Sequence, residues 1–105
     1  MGLSLLVNEK EIELGNAVHL NNFMNEISMH GDFPELMHRS FSEGEVLYNY
    51  VGKPTLLVSG VVNLYNECKR VKGLVPLTIE SEYILNQFMK ACRESIRSKK
   101  DIEII

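Results

Sequence analysis

The sequence predicts an α+β domain, with a small, mostly antiparallel sheet of four to five strands packed with three main helices. Short runs rich in branched aliphatic residues near both ends read as strands, whereas three longer stretches repeat apolar residues at helical spacing. The 105 residues, 45% hydrophobic and 24% charged, match ordinary globular usage and leave room for one core, so residues 1–105 are expected to form a single domain.

Taken in order, residues 3–7 (LSLLV) and 11–14 (EIEL) flank a polar turn, and the second alternates charge with aliphatic residues, which predicts a hairpin. Leu20, Phe23, Met24 and Ile27 then form one stripe of an amphipathic helix from about His19 to His30, with Gly31 as its left-handed stop. Pro34 opens a helical turn through Met37, and Val46 to Val51 (VLYNYV) reads as a strand. After the turn Gly52-Lys53-Pro54, residues 55–59 (TLLVS) are either a returning strand or the lead into the next helix. Val61, Leu64, Tyr65, Cys68 and Val71 mark that helix; Lys69, Arg70 and Lys72 suit its negative pole, and Gly73 is expected to end it. A linker of Leu74 to Pro76 precedes a longer helix from Thr78 or Glu80, with Ile84, Phe88, Cys92 and Ile96 on one face. Asp101 to Ile105 reads as a final strand, because three isoleucines in five residues favour burial.

The charge is unevenly divided. Residues 1–49 hold eight acids against two bases, whereas residues 50–105 hold nine bases against six acids. An acidic face repels nucleic acid and attracts basic proteins. Lys90, Arg93 and Arg97 recur on one helix face, but a pI near 5.6 fits a solvated surface better than a nucleic-acid binder. Cys68 and Cys92 lie on apolar helix faces without a Cys-x-x-Cys partner, which predicts buried thiols in a reducing compartment. With no long apolar span, and no basic leader or cleavage site in MGLSLLVNEKE, a cytoplasmic location is expected. Gly2 does not begin a myristoylation motif, since Leu6 stands where Ser or Thr is required.

Signatures of chemistry are missing. His19, His30 and His38 lack zinc-ligand spacing, so no metal is expected. Asp32, Glu35, Glu43 and Glu45 offer carboxylate pairs, but nothing in the sequence separates their roles as acid and base. No nucleophile elbow occurs, and VGKPT lacks the spaced glycines of a phosphate loop. The reading is therefore a protein without enzymatic activity or cofactor.

The opening MGLSLLV with its acidic hairpin, and FPELMHRSFSEGE after the first helix, resemble small immunity proteins of bacterial polymorphic-toxin and contact-dependent growth-inhibition systems. The resemblance spans residues 1–46. It implies a cytoplasmic protein that binds and neutralises a cognate toxin domain with a basic surface, expected to be a nuclease and in some cases a tRNA-cleaving one. On this reading Asp32, Glu35, Glu43 and Glu45 meet toxin lysines and arginines, while Phe33, Phe41 and Tyr48 fill pockets. For Phe33 and Phe41 the alternative is a place in the core; for Tyr48, which shares a strand face with Tyr50, burial is the default. Two other classes remain: a non-inhibitory adaptor of a mobile element, and a small enzyme whose site forms in an oligomer.

Overall fold

A computed structural model describes residues 2–33, 36, 55–56 and 58–104. The chain runs β1 (Gly2–Val7), β2 (Lys10–Asn16), α1 (Ala17–Ser28), β3 (Thr55–Leu56), α2 (Val58–Leu74), α3 (Ile79–Ser98) and β4 (Ile102–Ile104). All pairings are antiparallel and the sheet order is β2-β1-β4-β3. Among the described residues the class is α+β with three helices, and the sheet there is smaller than expected. Only β1, β2 and β4 have three residues or more, and β3 is a two-residue fragment on the outer side of β4. The expected strand Val46–Val51 and the turn from Pro34 to Met37 lie outside the described residues, apart from Leu36.

The hairpin closes through Asn8 and Glu9, with φ of 49° and 65° between the paired residues Val7 and Lys10. Positive φ at both central residues is the twist that a two-residue hairpin needs. Alternation then sends Ile12 and Leu14 of β2 into the core together with Leu5 and Val7 of β1. A bulge between Leu3 and Ser4 shifts the register, and Gly15, at φ 117°, sits beside it in a conformation that side-chain-bearing residues avoid.

The helices cover one face of this sheet. Leu20, Phe23, Met24 and Ile27 of α1 are all buried, as are Val61, Leu64, Cys68 and Val71 of α2 and Ile84, Leu85, Phe88 and Cys92 of α3. Phe23 and Phe88 meet with ring centroids 6.3 Å apart. Two expected helix ends differ. Helix α1 stops at Ser28, with Met29 still right-handed, and Gly31 adopts φ 154° only further along. Helix α2 continues through Gly73 to Leu74, and the Val75 N–H still donates to the Val71 carbonyl at 2.9 Å. By contrast α3 ends on a left-handed Lys99, a position usually taken by glycine.

Side-chain oxygens satisfy the helix starts, and for α2 and α3 they come from acids of distant elements. Asn16 caps α1, accepting from the His19 N–H at 2.9 Å. Asp101 accepts from the Val58 N–H at 2.8 Å at the start of α2. Glu26 of α1 accepts from Thr78 N at 2.8 Å, Thr78 Oγ1 at 3.1 Å and Ser81 Oγ, completing the cap of α3. Burial raises the Glu26 carboxyl, but the bonds from Ser81 and Thr78, with the charge of His30, outweigh it and leave it below its ordinary value.

Candidate partner-binding surface

Three observations divide the described acids of the first half by what they do. Glu26 is consumed by the α3 cap. Asp32 is exposed, and its backbone carbonyl accepts from Arg70 at 2.7 Å, which places it beside α2 on the helical side. Glu9, Glu11 and Glu13 are exposed on the hairpin. Since Ile12 and Leu14 point inward, alternation sends Glu11 and Glu13 out through the face of the sheet that the helices leave open.

Register fixes what stands next to them. Leu6 pairs with Glu11 on one side and Glu103 on the other, and Ser4 pairs with Glu13. Neighbouring strands lie about 4.8 Å apart, so Glu11 and Glu103 flank the half-buried Leu6 within roughly one Debye length of each other. At one end of this row a hollow of about 680 Å³ is bounded by Leu6, Asn8, Glu9, Lys100, Asp101 and Glu103. Among the described residues Lys100 is the single cation of that rim. Lys10, the other nearby base, is engaged 2.8 Å from Glu94 of α3.

Glu94 holds the hairpin tip in place. It accepts from Arg97, meets Lys10 and takes a long bond from Asn8 Nδ2 at 3.3 Å. The Arg97 guanidinium, then Lys10 and Asn8, hold its carboxyl down at about 2. Gln87 adds a second tie, donating to the Glu13 carbonyl at 2.8 Å. The acidic strand is therefore presented on a fixed support, which lowers the ordering cost of binding.

The sequence-predicted contact residues meet different fates. Phe33 is 3% exposed and lies in the core, the alternative that the sequence leaves open for it beside a partner contact. The Arg70 guanidinium lies 4.8 Å from the centroid of its ring, and the buried Glu67 accepts the Leu36 N–H, so α2 holds both Phe33 and Leu36. Asp32 remains a surface residue, but α2 rather than the sheet is its neighbour. Glu35, Phe41, Glu43, Glu45 and Tyr48 lie outside the described residues. Charge counting does not single out Glu11 and Glu13, whereas the alternation Glu11-Ile12-Glu13-Leu14 does.

Among the described residues no group of three or more His, Cys, Asp and Glu side chains is placed to hold a metal ion. Cys68 and Cys92 are free and buried; the Cys92 thiol, then burial, push the Cys68 thiol far above its ordinary range, where it is a poor nucleophile. No helix among the described residues is long and apolar enough to cross a membrane. Comparison with protein-family models, curated proteins and solved structures finds no match to this chain.

Proposed function

We propose that this chain is an immunity-type protein that binds a cognate toxin domain with a basic surface in the cytoplasm and neutralises it, with a nuclease as the expected toxin. The observation that carries the reading is the sheet face that the helices leave uncovered, where exposed Glu11 and Glu13 project from β2, with exposed Glu9 at the hairpin tip. A nuclease must present lysines and arginines to a phosphate backbone. A rigid row of carboxylates competes for those cations and steers the encounter through long-range attraction. The protein acts by occupying that surface rather than by transforming a substrate.

Growth rescue tests the reading. The chain is co-expressed with the toxin candidate encoded beside its gene, and wild type restores growth whereas the variant Glu9→Lys/Glu11→Lys/Glu13→Lys does not. Binding without rescue points instead to a non-inhibitory adaptor. Full rescue by the folded triple variant sinks the acidic-face mechanism.

A further inference from the structure

Cys68 of α2 and Cys92 of α3 are both fully buried, both free, and part of one core cluster. Helices α2 and α3 are joined by residues 75–78 and pack against each other, so they run side by side in opposite directions. Near their connection the Lys72 ammonium donates to the Asn86 side chain at 3.4 Å, which sets the level of one helix against the other. Cys68 lies one turn before Lys72, and Cys92 lies less than two turns beyond Asn86, so both steps lead away from the connection and reach nearly the same level. The two thiols meet there between the helices, and the Cys92 thiol acts on Cys68 more strongly than burial does.

We propose that Cys68 and Cys92 are a disulfide-forming pair, closed by a small-molecule disulfide while the chain folds and shielded, in whichever state it has reached, once the core is shut. In the open chain a cysteine thiolate attacks one sulfur of the reagent and releases one thiolate, leaving a mixed disulfide. The second cysteine thiolate attacks the protein sulfur of that bond and releases the other half of the reagent. Two electrons pass from the cysteine pair to the reagent, and the two cysteine protons end on the two released thiols. Burial sets the timing. In the folded chain no thiolate is presented to solvent, so a reagent must wait for α2 and α3 to part. The closed bond ties α2 to α3 across a loop of about 25 residues, and α2 is the helix whose Glu67 and Arg70 hold Leu36 and Phe33.

Intact-mass spectrometry of the wild-type chain tests the pair. Reduced protein is unfolded in denaturant and diluted into native buffer containing glutathione with its disulfide in excess. The expected product is a single chain that has lost two hydrogens, carries no glutathione, and melts about 10 °C above the reduced protein. Folded, reduced protein placed in the same buffer without denaturant oxidises at least about a hundredfold more slowly. A refolded chain that stays reduced, keeps glutathione on either cysteine, links to a second chain, or melts no higher than the reduced form overturns the pairing. Oxidation of the folded protein as fast as of the unfolded chain overturns the shielding.

Discussion

Replacing Glu26 by Ala removes the acceptor that joins α1 to the start of α3. Two groups on Thr78 and the Ser81 hydroxyl lose their partner at once, and Ser81 is only 3% exposed, so water replaces the carboxylate poorly. Hydrogen bonds to a charged group contribute about 1.5–3 kcal/mol each when isolated, but Glu26 is half-buried and Thr78 exposed, which places the total near 2 kcal/mol. For a domain of this size that lowers Tm by about 10 °C. Thermal unfolding followed by far-ultraviolet circular dichroism measures it, and a cycle with Ser81→Ala should give a coupling of about 1 kcal/mol. The pH dependence has a fixed sign. Because the folded carboxyl lies below its ordinary value of 4.5, its contribution is fully present above that value and is lost as pH falls through the folded one. The stability gap between wild type and Glu26→Gln must therefore narrow in acid. An unchanged Tm, or a gap that widens on acidification, refutes the account of Glu26 as the long-range cap.

Other substitutions probe the support of the acidic strand. Glu9→Gly removes the strain of a left-handed glutamate, and after the entropy that glycine adds to the unfolded chain it leaves roughly 0.5 kcal/mol of stabilisation, a Tm rise of about 3 °C; a fall would contradict the turn geometry. Phe33→Ala costs about 3–5 kcal/mol in denaturant unfolding, since the ring is buried beneath Arg70, whereas a surface contact residue would cost almost nothing. In a carboxyl NMR titration Glu94 changes protonation at about 2, and Arg97→Ala moves that value upward; an unmoved value would mean that Arg97 does not hold it.

Periodicity made the helices legible. The stripe Leu20-Phe23-Met24-Ile27 is buried as its spacing requires, as are Ile84, Phe88 and Cys92, although Ile96 at the end of that second stripe is exposed, and Thr78 caps α3 as its place before Glu80 and Glu82 implies. Helix ends were less legible. Gly73 is tolerated inside α2 with open space around it, and Lys99 takes the left-handed position that a glycine would have advertised. The roles of individual acids were hidden for a different reason. Glu26 and Thr78 are 52 residues apart, and Asp101 and Val58 are 43 apart, so only tertiary packing turns these carboxylates from surface charge into helix caps. Phe33 illustrates the same limit, since its burial depends on Arg70 and Glu67 of a helix more than thirty residues away. The acidic strand, by contrast, was written in the alternation of β2.

The most direct measurement of the central claim is the affinity of purified wild type and Glu11→Lys/Glu13→Lys for the neighbouring toxin domain at low and high salt. Both side chains are exposed and outside the core, so the variant should unfold at nearly the wild-type temperature. The account predicts binding at least about a hundredfold weaker at low salt, with a much shallower salt dependence than wild type. Equal affinity and equal salt dependence in the folded variant would contradict it.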